Sequence, residues 1–555
     1  MSSIFLFIFI LGVGVRAINI WRPVDRPTWR ESDEAGIARN YYREGMNIFY
    51  PRVDWRGDTA GYAEMEFPLY PWLIALSYKI FGFHEFIGRV ISFLFSLLTL
   101  WIFFRLAWDL LPPLGAQCAA LFFALSPLVI NVSSALQPEA LMFLFYLLAG
   151  YWFICWHQNR GEKFFWGSAV AISMAILAKV TAAHLGVFFG LLILEKVGFA
   201  ALMKLRFWGF GAIALIPSVL WYIHAHQFWQ QNQLSLGLSN EYHWVGWDLF
   251  TNPFFVKGLA RTEAFYVWMP LGMVILAIGV WLNRREKAVK YAIYWGIAVA
   301  VYYLLAARTT AAQWAAYYHI ASVPTVALLL GSGAAVILQL KSDKRWLKRF
   351  VALSGMSALV LVLTSYLLLS GTAFEIGVVL SATLALTTLV LMERMKIGAE
   401  GGSRLQTLLL SIGVISLCSV FLFQTRQIVV DAQNWKASEL RSCAPSFATE
   451  IPASALVLVT GGSCVNETGY PAAYNASFML YWTDRRGFNI CIEEQSLAAV
   501  ASFVKHGARY YLAAKSTLQR RGHLEDELRQ VYPVVAECNG NILFQLTPVE
   551  TKVEK

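Results

Sequence analysis

Charge is what this sequence has least of. Only 14% of its 555 residues are Asp, Glu, Lys or Arg, against about a quarter in soluble globular proteins, which excludes an ordinary cytosolic enzyme. Disorder is excluded too, because it needs high charge and low hydrophobicity, and 57% of these residues are hydrophobic. Several signatures are also missing: a His/Cys/Asp/Glu cluster with metal-ligand spacing, a nucleotide-sugar motif, and the paired halves of a transporter. The net charge of +10 comes without the basic stripe of a nucleic-acid binder; basic loops facing anionic lipid explain it better. In place of charge stand long apolar runs and 15% aromatics, the anchors of a membrane interface.

At about 20 apolar residues per crossing, the chain reads as a polytopic α-helical membrane protein. The first run, Ser3 to Ala17, lacks a basic leader and a small-residue cleavage site, so it reads as an uncleaved span. Further spans are expected at 85–104, 114–131, 138–156, 164–181, 183–195, 207–224, 264–282, 290–306, 316–339, 350–369, 373–392 and 405–423. Apolarity alone puts the basic runs Asn283–Lys290, Lys341–Arg349 and Glu393–Arg404 on one side, as the positive-inside rule requires. Thirteen spans then place the N-terminus in the cytoplasm and the C-terminus outside an inner (plasma) membrane.

Two long segments fall outside: a loop at 20–84 dense in charges of both signs and a soluble tail at 435–555, with a shorter loop at 225–263. The membrane part is thus 1–424 and the tail a second domain. In the tail, strands at Ala455–Thr460, Phe488–Cys491 and Arg509–Ala513 alternate with helices near 472–482, at Ser496–Lys505 and near 517–530. Two short strands follow, Val534–Glu537 and Ile542–Leu546, and the alternation predicts a small α/β domain with a mainly parallel sheet. Cys443, Cys464, Cys491 and Cys538 all lie in this tail, where an oxidising compartment permits two disulfides in any of three connectivities. Cys118, Cys155 and Cys418 lie within spans and read as inert thiols.

Charges close to membrane depth cost several kcal/mol, so each asks for a reason. Those at exterior span ends are Asp33 and Glu34 after the first span, Glu66 before a Pro-rich run, Arg89, Glu139 after Pro138, Lys179, and Tyr317, Tyr318 and His319. Carboxylates gathered on one face could act as general bases while cations stabilise an anionic leaving group. Most of these have a plainer alternative. Arg89 and Lys179 could snorkel to the interface, Glu139 could complement a helix N-terminus, Glu34 could be solvated, and His319 could be a satisfied interfacial ring. Asp33 has no evident structural reason.

The stretch Asp33-Glu34-Ala35-Gly36-Ile37-Ala38-Arg39-Asn40, then Glu44-Gly45, Tyr50-Pro51 and Glu66-Phe67-Pro68-Leu69-Tyr70-Pro71-Trp72-Leu73, resembles the first exterior loop of bacterial GT-C glycosyltransferases. These are family 39 and ArnT-like enzymes, related to protein O-mannosyltransferases. The likeness continues through Gly88-Arg89-Val90-Ile91-Ser92, Ala124-Leu125-Ser126-Pro127-Leu128 and Gln137-Pro138-Glu139, with weaker echoes around Lys179 and Tyr317–Pro324. The resemblance implies a GT-C fold and transfer of a sugar from a polyprenyl-phosphate donor to an exterior acceptor (lipid, glycan or protein), with inversion. Carried over, Asp33 is the base with Glu34 beside it, Glu66 helps position donor or acceptor, and Lys179, Arg89, Tyr318 and His319 hold the lipid phosphate. Two departures bear on this. The family often has Lys-Pro-Pro-Leu where this chain has Glu66-Phe67-Pro68-Leu69, and Asp where it has Glu139. No cofactor is implied, and a divalent ion between acidic loop and phosphate stays open. A flippase or transporter for a lipid-linked sugar is the alternative function.

Overall fold

The computed structural model describes residues 3–25, 29–239, 250–269, 272–311, 313–339, 438–465 and 477–547, with scattered positions between 413 and 428. Its helices begin α1 Ser3–Ala17, α2 Trp29–Glu44, α3 Leu69–Phe81, α4 Phe86–Leu110, α5 Pro113–Ala124, α6 Pro127–Ser134, α7 Glu139–His157 and α8 Glu162–Ala178. They continue with α9 Leu185–Val197, α10 Leu205–Asn232, α11 Pro253–Thr262, α12 Gly272–Leu282, α13 Lys287–Leu305, α14 Ala307–Ala311 and α15 Val323–Gln339. Among the described residues six helices are long and apolar enough to cross a membrane, or eight if each of two bent pairs is one span. The chain is a multi-pass membrane protein. The spans expected at 350–369 and 373–392, most of 405–423, Cys418 and two of the three basic runs lie outside the described residues.

The span expected at 114–131 is broken. Pro127 cannot donate to a helix begun before it and holds Ser126 extended, so α5 and α6 meet at 50°. The carbonyls freed at the end of α5 find donors: Arg16 Nη1 gives to Ala124 O at 2.8 Å and Gln424 Nε2 to Phe122 O at 3.0 Å. Small residues bring α5 against α15, where an added Cβ on Gly115 would sit 3.0 Å from Gly331 O. This is the close backbone approach that membrane helices use in the absence of a hydrophobic drive.

Three expectations need correction. Residues 20–84 are not simply a loop, since they contain α2 and α3. The exterior loop expected from 225 starts later, because α10 runs on to Asn232. The sheet is mixed rather than mainly parallel. Its strands β1 Leu456–Thr460, β2 Arg486–Ile490, β3 Ala508–Ala514, β4 Val534–Cys538 and β5 Asn541–Gln545 lie in the order β2-β1-β3-β5-β4. β1 is parallel to β2 and β3, whereas β5 is antiparallel to β3 and β4. The cause is local: Asn539 and Gly540 both have positive φ, the two-residue turn that closes a hairpin.

Of the three connectivities the tail forms Cys443–Cys538 and Cys464–Cys491. It is fixed to the membrane part through backbone and charge alike. Trp482 Nε1 donates to Val24 O at 2.8 Å, Gly57 N to Gly487 O at 2.7 Å and Gly487 N to Asp54 O at 3.0 Å. Ile37 and Tyr41 of α2 share an apolar core with Leu480 and Leu512.

Candidate functional site

α2 positions the site, and its sequence is unusual for its surroundings. WRESDEAGIARNYYRE carries seven charged side chains and only a short apolar stripe, yet residues 32–41 are all buried. Buried charges persist only when paired. Arg39 meets Asp54 at 2.6 Å and Asp484 at 2.8 Å, and Asn40 donates to Asp54 at 2.9 Å. Glu31 takes a fork from Arg89, at 3.1 and 2.8 Å.

The face at 30, 33 and 34, spaced i, i+3, i+4, points elsewhere. Trp55 Nε1 donates to Asp33 Oδ1 at 2.9 Å, fixing that carboxylate. Arg30 Nε lies 3.1 Å from Glu34 and its far end bonds Glu66. Neither oxygen of Glu34, which is fully buried, has a hydrogen-bond partner among the described residues. Burial, followed by the acidic neighbours Glu66, Glu139 and Asp33, pushes its carboxyl up to about 8 against the pull of Arg30. For Arg30 itself burial works against the charge, but Glu66 and Glu34 outweigh it and hold the guanidinium firmly protonated.

Glu66 is carried by a short extended piece tied on both sides: Phe67 N donates to Leu177 O at 3.0 Å and Trp221 Nε1 to Met65 O at 2.9 Å. The first tie lands two residues before Lys179, which leaves α8 in an extended conformation. Its ammonium bonds Glu139 and lies 4.8 and 4.4 Å from the rings of Tyr317 and Tyr318, within cation–π range. Glu66 and Glu139 act electrostatically on both Arg30 and Lys179. Asp33, Glu34, Glu66, Glu139, Lys179 and Tyr318 therefore form one neighbourhood, with Arg30 at its centre.

Arg89 and His319 stand apart. All five N–H groups of Arg89 are committed: to Glu31, and to Arg22 O, Ser134 O and Pro23 O at 2.7, 2.6 and 2.9 Å. His319 is fully buried between Glu263 at 2.7 Å and Thr310 O at 2.7 Å. Glu263 opens a π-helical turn and also receives Tyr303 and Ser322. Arg30 is the residue that sequence reasoning missed. Its signal was the i, i+3, i+4 spacing, unreadable while the segment was taken for a loop.

Between Lys179 and the tyrosines the open space is only about 10 Å³, roughly one water. A wider groove of about 670 Å³ begins next door at Val180 and runs between Ile176, Leu215, Val219 and Ile223 towards Glu64 and His226. Val219 and Ile223 are more than half exposed, so the groove opens on the side that faces lipid. No three acidic groups of the cluster are within metal-sharing distance. Among the described residues the one group that is, Cys464, Cys491 and Glu493, contains a disulfide.

Residues 66–223 match the family model described as Dolichyl-phosphate-mannose-protein mannosyltransferase. An uncharacterized protein of Aquifex aeolicus (strain VF5) is 23% identical over 236 residues, 41% of this chain and 46% of that one. The match thus spans about half the length of that curated relative. ArnT from Cupriavidus metallidurans bound to undecaprenyl phosphate superposes with a TM-score of 0.59 at 15% identity, covering 98% of both chains; the apo form gives 0.59 over 97% of each. An Archaeoglobus fulgidus oligosaccharyltransferase in the apo form gives 0.50 at 10% identity, covering 93% of this chain and 69% of that one. Family match and whole-length superposition agree: the chain has the GT-C fold, in an ArnT-like arrangement.

Proposed function

We propose that the protein is an integral-membrane glycosyltransferase that moves a sugar from a polyprenyl-phosphate donor to an acceptor hydroxyl at the exterior face, with inversion. The observation that carries this is the meeting of Asp33, Arg30, Glu66, Glu139 and Lys179 at one membrane face, beside a groove open to lipid. The ArnT structure, with undecaprenyl phosphate in the same fold, and the mannosyltransferase family match support the donor class.

Asp33, held by Trp55, takes the proton of the acceptor hydroxyl. The oxygen attacks the anomeric carbon from the side opposite the phosphate, and the bond from that carbon to the phosphate oxygen breaks. Polyprenyl phosphate leaves with the electron pair. Lys179 and Arg30 stabilise the growing negative charge, which a low-dielectric site makes worth far more than in water. Glu139 and Glu66 hold these cations until the phosphate competes for them. The tyrosines cover the ammonium, and the apolar groove takes the first isoprene units. Arg89 fixes the strand of chain before α2 rather than meeting the donor, and His319 braces the turn that bears Tyr317 and Tyr318.

The reading includes an orientation. The far ends of the same helices carry Asp109, Arg160, Glu195 and Lys290, which we place at the cytoplasmic side of an inner membrane, with residues 435–555 as an exterior domain. Glycosyl transfer from radiolabelled undecaprenyl-phosphate sugar in proteoliposomes tests the reading. Asp33→Asn should lower the rate about a hundredfold or more with the protein still folded. A wild-type rate in that variant removes Asp33 as the base.

A further inference from the structure

A second cavity lies away from the membrane, where the chain after α2 meets the tail. It measures about 590 Å³, within the range of about 300–1,000 Å³ typical of small-molecule sites. Its walls include Gly57, Asp58, Arg486, Arg509, Tyr510 and Gln545. Glycine is required at residue 57, where φ is +57° and an added Cβ would sit 2.4 Å from the ring of Phe488, so the chain passes close against β2 at the edge of the cavity. Arg486 begins β2 and Arg509 lies in β3, so strands flanking β1 aim two guanidiniums at one space.

These arginines differ from those on and around α2. Arg30, Arg39, Arg43, Arg56 and Arg89 all have carboxylate partners. Arg486 acts on Glu44 only through space, and neither Arg486 nor Arg509 makes an ion pair or side-chain hydrogen bond among the described residues. The cavity's own acid, Asp58, faces His506 at 3.9 Å. Two guanidiniums without a carboxylate among the described residues are suited to bidentate capture of a phosphate or carboxylate, and a half-buried tyrosine offers a ring face for a sugar.

The cavity is also close to the chemistry. Trp55, which holds Asp33, is two residues from Gly57 and three from Asp58, a reach of at most about 10 Å of chain. We propose that this cleft binds an acidic saccharide, a sugar ring bearing phosphate or carboxylate, as the part of the acceptor furthest from the membrane. This rests on the transferase reading above. Arg486 and Arg509 take the anionic group, Tyr510 packs on the ring, and Gln545 serves its hydroxyls.

Titration calorimetry on the full-length protein in detergent tests the cleft without any donor, with glucose 6-phosphate, glucuronate, glucose and inorganic phosphate as probes. At least one acidic sugar should bind about tenfold or more tighter than glucose and inorganic phosphate; which of the two does so tells phosphate from carboxylate. The Arg486→Ala/Arg509→Ala double variant, at exposed positions that leave the fold intact, should lose that preference. Equal binding of glucose, equal binding of inorganic phosphate, or an unchanged double variant each overturns the proposal. Because no transfer is measured, such a failure leaves the transferase reading standing. Loss of that reading through Asp33→Asn would show in transfer while this binding persists.

Discussion

Arg89 and Lys179 read alike in sequence, each a cation at the end of an apolar helix, but the structure puts them in opposite conditions. Arg89 gives every N–H to a fixed acceptor and is matched by Glu31. Lys179 shares two carboxylates with Arg30, its partner Glu139 has an oxygen without a hydrogen-bond partner, and both oxygens of Glu34 are in the same state. A saturated cluster has nothing left to offer a ligand. An unsaturated one, with more carboxylates than cations and buried beside a groove, stores cost that a stability role alone does not explain. Under the proposed function, the contrast separates scaffold from site.

The comparison can be broken by substitution. Arg89→Ala should be the most damaging to folding, costing about 3–5 kcal/mol, because it leaves the largely covered Glu31 without its cation and three carbonyls without their donor; chemical unfolding in micelles measures it. A loss below about 1 kcal/mol would put Arg89 back among candidates for the donor. Removing the long disulfide with Cys443→Ala/Cys538→Ala should cost about 2–5 kcal/mol and slacken the tail that braces Arg39. Protease sensitivity of the tail reports it, and an unchanged digestion pattern would show that the tail's docking does not need this bond.

The unsaturated side predicts a pH signature. With Glu34 near 8 in the folded protein against an ordinary 4.5, the folded state keeps a proton that the unfolded state has lost between those values. Stability from this group is therefore complete below about pH 4.5 and falls as pH rises towards 8. Glu34→Gln should flatten that slope, and a slope identical to wild type would mean that Glu34 is ionised throughout. The smallest effect belongs to exposed pairs such as Arg529 with Glu525 and Glu537. Arg529→Ala should change stability by about 0–1 kcal/mol, and a larger loss would undo the distinction between buried and surface charge.

Much of the fold was legible because apolar length and Pro and Gly positions are local signals. α1 matches its expected bounds, and the tail's strands fall within a few residues of expectation. The broken span at Ser126 was written in Pro127, yet apolarity alone reads through it. α2 was not legible: a helix so rich in charge looks like a solvated loop unless one knows that the tail and α3 cover it. The site was half legible. Asp33, Glu66, Glu139 and Lys179 announce themselves as charges at membrane depth, whereas Arg30 acquires meaning only through partners 4 and 36 residues away. The commitment of Arg89 and His319 to internal acceptors depends on tertiary contacts that spacing does not encode.

The most direct test of the contrast is to measure sugar transfer and thermal unfolding together for Lys179→Gln and Arg89→Gln, with Glu139→Gln/Lys179→Gln to neutralise the acid left behind. The account predicts that Lys179→Gln and the double variant lose about a hundredfold or more in transfer, the double variant with an unfolding temperature close to wild type, while Arg89→Gln loses stability first. Wild-type transfer by Lys179→Gln would contradict it.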